Sequence, residues 1–134
     1  SALGRFLDDC RRIIPQSRAD LLNVTLRYIA ADTASSMAFA PSKRVAAVMS
    51  FSQPLDLSAD ERMRPVTQAL IDSALSHGGS FYLPYRLHAR QDQVQRAYPN
   101  TARFVAAKMR WDSKGLFRNT MWDRYFVPYL NQRA

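Results

Sequence analysis

The sequence predicts an α+β domain in which a small antiparallel sheet is covered on one face by helices. Three observations lead there: apolar residues recur at helical spacing in several segments, three other segments carry strand signals, and the order helix, strand, strand, helix, strand, helix, helix lacks strict β-α-β repetition. The chain has 134 residues, 47% of them hydrophobic, enough for one compact core, so residues 1–134 are expected to form a single domain.

Leu3, Phe6, Leu7, Cys10 and Ile14 lie at i, i+3, i+4, i+7 and i+11, which predicts a first helix ending at Pro15. From Leu22 to Tyr28 apolar residues alternate with Asn23, Thr25 and Arg27, the two-residue repeat of a half-buried strand. Asp32 to Arg44 has neither period and reads as a long loop, and Val45 to Phe51 is a β-rich run that Gln53 and Pro54 close. Ser58 and Glu61 have the spacing of a capping box. The helix they open carries Met63, Val66, Leu70, Ile71, Ala74 and Leu75 on one face, with Pro65 near its start and Gly78 and Gly79 at its end.

Ser80 to Leu83 is expected to be a short aromatic strand limited by Pro84, and Gln91 to Tyr98 a short helix. Pro99 suits a first helical position, and Phe104, Lys108 and Trp111 share a face beyond it. Asp112 to Gly115 reads as a turn, and the aromatic-rich stretch Leu116 to Leu130 as extended or irregular.

Charge and motifs exclude several classes. Lys and Arg number 19 against 11 Asp and Glu, a formal net charge of +8 that suggests a nucleic-acid or acidic partner. The arginines are scattered from Arg5 to Arg133 with no long basic run, which argues against a nucleic-acid groove. The rival reading is a small basic RNA-binding module, since such domains stack bases on strand aromatics, and Lys114-Gly115-Leu116-Phe117 faintly echoes their signature. No apolar run approaches the roughly 20 residues of a membrane span. No signal peptide is evident, so a cytoplasmic location is expected. Cys10 is the sole cysteine and His77 and His88 the only histidines, so no metal is expected. Phosphate-cradling glycine loops and serine nucleophile elbows are absent.

The informative stretch runs from Gly78 to Arg124. It reads Gly-Gly-Ser-Phe-Tyr-Leu-Pro-Tyr-Arg-Leu-His-Ala up to Ala89, then Ala97-Tyr98-Pro99, Phe104, Lys108, Trp111-Asp112, Gly115, Phe117-Arg118-Asn119 and Asp123-Arg124-Tyr125. This resembles the C-terminal end of FAD-linked oxidases of the vanillyl-alcohol oxidase type, including the lactone and alditol oxidases. The family's recurring order of Lys or Arg, aromatic, Asp, Gly, Phe and Asn looks like Lys108, Trp111, Asp112, Gly115, Phe117 and Asn119. Earlier segments agree with the cap domain of that family in layout. The chain departs at Tyr82 to Tyr85, where those relatives carry His-x-Gly-Lys, and at Ser113, where proline is usual.

The resemblance implies a ferredoxin-like cap and substrate domain of an FAD-dependent oxidoreductase, which moves a hydride from a C–H bond beside oxygen to the flavin. It implies FAD held mainly by a separate FAD-binding domain of the same protein, with the isolated chain inactive. The site residues it implies are Tyr82 and Tyr85 for catalysis, Arg86 and His88 for the small-molecule substrate, and Asn119 and Arg118 for the cofactor. Trp111, Phe117, Trp122 and Phe126 are expected in the core or at the interface with that domain, and any left bare would promote self-association.

Overall fold

In the computed structural model, residues 1–131 are described. They form α1 (Ala2–Ser17), the antiparallel strands β1 (Asp20–Ile29) and β2 (Arg44–Ser52), α2 (Leu57–Ser76), α3 (Gln91–Ala97) and α4 (Thr101–Trp111). A π-helical turn (Trp122–Phe126) then leads into α5 (Val127–Asn131). The class is α+β. Among the described residues no helix is long and apolar enough to cross a membrane.

The amphipathic α1 buries Cys10 and Ile14 and packs on α2. It runs past Pro15, contrary to the sequence expectation, because a proline in the last turn removes a single backbone hydrogen bond. Arg18 then turns left-handed at φ 56°, and its N–H donates to the Pro15 carbonyl. The start of α2 also differs: the N-cap is Asp56, whose carboxylate accepts from the Ala59 N–H at 2.7 Å, while the Ser58 hydroxyl accepts from Arg62. Pro65 lies within α2 without ending it. At the other end Gly78 adopts φ 74°, and the Gly79 N–H donates to the Ala74 carbonyl at 2.7 Å.

β1 and β2 pair in register from Asn23↔Ser50 to Ile29↔Arg44, with an irregularity between Leu21 and Asn23. The sheet has two strands, because Ser80–Leu83 forms none. Its backbone is satisfied by side chains instead: the Tyr98 hydroxyl donates to the Phe81 carbonyl and accepts from the Leu83 N–H at 3.2 Å. The Ser80 hydroxyl donates to the Phe39 carbonyl at 2.5 Å. The helices gather on one another, and β1 stays exposed along most of its length.

The core lies between α2, α3, α4 and the last helix, where Ile71, Leu83, Val94, Tyr98, Val105, Trp122, Tyr125, Phe126 and Tyr129 meet. The long loop between the strands adds Met37 and Phe39. The segment read as extended from Leu116 is helical beyond Met121, since Trp122, Tyr125, Phe126 and Tyr129 share one face at i, i+3, i+4 and i+7. Pro128 lacks the N–H that would meet the Arg124 carbonyl, and the Gln91 side chain donates to that oxygen instead, at 3.2 Å. Pro99 precedes α4 rather than opening it, with Asn100 as the N-cap.

Candidate functional site

One face of α2 carries a polar stripe, Asp60, Arg64, Thr67, Gln68 and Asp72, spaced i, i+4, i+7, i+8 and i+12. The loop from Tyr85 to Arg90 lies along it, fastened at several points. Gln68 donates to the His88 carbonyl at 2.7 Å, and Arg90 holds Asp72 through both oxygens at 3.0 and 3.2 Å. Gln93, fully buried, donates to the Gln68 carbonyl and to Asp72, each at 2.8 Å. From the other side the Tyr125 hydroxyl accepts from the Ala89 N–H at 3.1 Å.

Where this loop meets the start of α2 a surface cavity of about 360 Å³ opens, lined by Asp60, Arg64, Tyr85, Arg86, Leu87, His88 and Arg124. Three guanidinium groups face a single carboxylate there. Asp60 is met by Arg86 at 3.1 Å and by Arg64 at 3.8 Å. Hydrogen bonding from His88, reinforced by the charges of Arg86 and Arg64, holds the Asp60 carboxyl below its ordinary value against the opposing effect of burial. The surplus positive charge suits a small ligand bearing a carboxylate or another electron-rich oxygen.

His88 is only 2% exposed, and both ring nitrogens are engaged: Nε2 with Asp60 at 2.9 Å and Nδ1 with the Thr67 hydroxyl at 3.0 Å. Nε2–H donates to the carboxylate, and Nδ1 meets a Thr67 hydroxyl that also lies 3.0 Å from the Met63 carbonyl. His88 thus acts on the cavity by holding Asp60 in place. Tyr85 lies at the rim.

Tyr82 stands over a second, apolar cavity of about 220 Å³, lined also by Met37, Phe39, Leu83, Phe104, Met121 and Phe126. Its ring meets that of Tyr85 edge to face at 4.8 Å, so the tyrosine pair separates the two cavities.

Arg118 and Asn119 lie elsewhere, on the exposed turn after α4. Asp112 builds that turn by accepting from the Leu116 N–H at 2.8 Å, the Phe117 N–H at 2.9 Å and the Lys108 ammonium. The Asn119 carbonyl oxygen accepts from the Trp122 N–H at 2.8 Å, and Arg118 pairs with Asp123 at 2.6 Å. Set against an isoalloxazine ring, these residues supply an edge and no enclosure: neither cavity includes them, while Leu116, Phe117 and Trp111 beside them are largely bare.

The site therefore gathers Tyr85, Arg86 and His88, and adds Asp60, Arg64 and Arg124, which the sequence reading did not single out. The polar stripe of α2 was the available signal for the first two. Among the described residues no three His, Cys, Asp or Glu side chains cluster as metal ligands would. No protein-family model, curated protein or solved structure matches the chain.

Proposed function

We propose that this chain is the C-terminal cap and substrate portion of an FAD-dependent oxidoreductase acting on a C–H bond next to oxygen, in an alcohol, hydroxy acid or lactone. The observation that carries the reading is the cationic cavity. The loop from Tyr82 to His88, whose first four residues replace the family's His-x-Gly-Lys, contributes Tyr85 and Arg86 to it, opposite Arg64 and Arg124. When bound, the flavin supplies the hydride acceptor. Arg86 orients an electron-rich substrate oxygen, and Tyr85 lies in reach to hydrogen-bond a substrate hydroxyl.

A second observation supports a partner. Trp111, the last residue of α4, is 82% exposed, and Phe117, on the turn that carries Arg118 and Asn119, is 80% exposed. Large aromatic side chains left bare together mark an interaction surface. In this reading that surface meets the FAD-binding domain, which holds the cofactor, and the isolated chain does not turn over. The proposed compartment is the cytoplasm, and self-association accompanies isolation from the partner.

The absorption spectrum provides the test. The purified chain is expected to be colourless and to lose added FAD on gel filtration. Stoichiometric, tight retention of FAD by this chain alone overturns the two-part picture.

A further inference from the structure

A sheet of two strands leaves each with one free edge, and the unpaired N–H and C=O groups along such an edge are a template for another strand. β1 is ten residues long, contains no proline or lysine, and is exposed along most of its length. Across the register Val24 faces Met49, Leu26 faces Ala47 and Tyr28 faces Val45, so six apolar residues share one face without a charge among them. Tyr28 is 68% exposed.

The charges on β1 say what covers the edge. Asp20 stands at its start and Arg27 near its end, and among the described residues neither forms an ion pair within the chain. Two identical strands laid antiparallel bring each aspartate toward the other's arginine, whereas parallel pairing sets arginine on arginine.

We infer that β1 pairs edge to edge and antiparallel with β1 of a second copy of this chain, forming a four-stranded sheet across a twofold axis. Residues opposite each other must point to the same face, which an axis at Thr25 achieves. Val24 then lies opposite Leu26 of the second copy, and Asn23 opposite its Arg27. The irregularity between Leu21 and Asn23 shifts the alternation by one, so Leu21 falls opposite the second copy's Tyr28 on the apolar face. Asp20 comes within diagonal reach of its Arg27. The inference is independent of the flavoenzyme reading and stands or falls without it.

Sedimentation across a dilution series tests it, with circular dichroism confirming that each variant is folded. The wild-type chain is expected to form dimers. Thr25→Lys, which sets two ammonium groups face to face on the axis, raises the dissociation constant roughly tenfold or more. Asp20→Arg and Arg27→Asp each weaken the dimer, and the double exchange restores it. A wild-type chain that stays monomeric throughout, or a dimer indifferent to Thr25→Lys and to the single charge exchanges, overturns the proposal.

Discussion

Asp60 on α2 and His88 on the following loop meet at 2.9 Å, and this contact joins the buried core to the rim of the cationic cavity. Thr67 holds the far side of the same imidazole at 3.0 Å. Replacing His88 with alanine leaves a void beneath the loop and removes one hydrogen-bond partner each from Thr67, which keeps the Met63 carbonyl, and from Asp60, which keeps Arg86. The expected loss is about 2–4 kcal/mol in chemical denaturation. A loss below about 0.5 kcal/mol, the range of an inconsequential surface change, contradicts this account of the loop.

Two tyrosine hydroxyls frame the site loop: Tyr98 accepts from the Leu83 N–H and Tyr125 from the Ala89 N–H. Burial raises both phenols, that of Tyr98 to about 12. The neutral phenol is the form the fold accommodates, so this contribution is complete below the ordinary value near 10 and fades as pH rises from there to about 12. Tyr98→Phe is expected to cost about 1–3 kcal/mol and to speed hydrogen exchange at the Leu83 amide, while Tyr125→Phe does so at Ala89. Unchanged exchange in both variants speaks against the clamp.

Asp112 organises the turn that carries Phe117, Arg118 and Asn119, and its carboxyl is lowered to about 2, first by the Lys108 hydrogen bond and then by the Phe117 N–H. A depressed carboxyl stabilises the fold above its unfolded value of 3.8 and ceases to do so as pH falls toward about 2. Asp112→Asn is therefore expected to lower the melting temperature at neutral pH by roughly 5 °C. The gap from wild type should narrow as pH falls through that window, and a gap independent of pH would refute this role.

The glycine pair after α2 separates two causes of intolerance. At Gly78 a Cβ meets nothing within 4 Å, but φ is 74°, so Gly78→Ala is expected to cost about 1 kcal/mol through the left-handed backbone alone. At Gly79 a Cβ would lie 2.7 Å from the Ala74 carbonyl oxygen, so the backbone itself must move. Equilibrium unfolding should rank Gly79→Ala as the more damaging, and the reverse order contradicts the packing described here.

The parts of this molecule legible in the sequence are those where one period dominates. The apolar stripe of Leu3, Phe6, Cys10 and Ile14 and the alternation from Leu22 to Tyr28 gave their elements directly, because local periodicity decided the outcome. Ser80 to Leu83 has strand composition but ends without a strand partner, its backbone groups taken by Tyr98 and its Ser80 hydroxyl by Phe39. Such side-chain satisfaction depends on tertiary placement and leaves no local trace. The aromatic density beyond Leu116 masked a helical spacing that Trp122, Tyr125, Phe126 and Tyr129 do possess. In the site, Tyr85, Arg86 and His88 stood out in sequence. Asp60 and Arg64 lie on the polar side of α2, away from the apolar face that defines the helix in sequence, and Arg124 belongs to the aromatic segment read as extended or irregular.

Flavin chemistry at the cavity beside Arg86 has a direct spectroscopic readout. In a longer polypeptide that includes the coding region upstream of Ser1, FAD is expected to copurify. Anaerobic addition of a panel of alcohols, hydroxy acids and lactones should bleach its absorbance with at least one member, and Arg86→Ala should slow that bleaching at least tenfold, a loss of about 1.4 kcal/mol in transition-state stabilisation. A longer protein that carries no flavin, or one whose flavin is reduced equally fast with and without the Arg86 guanidinium, contradicts the account.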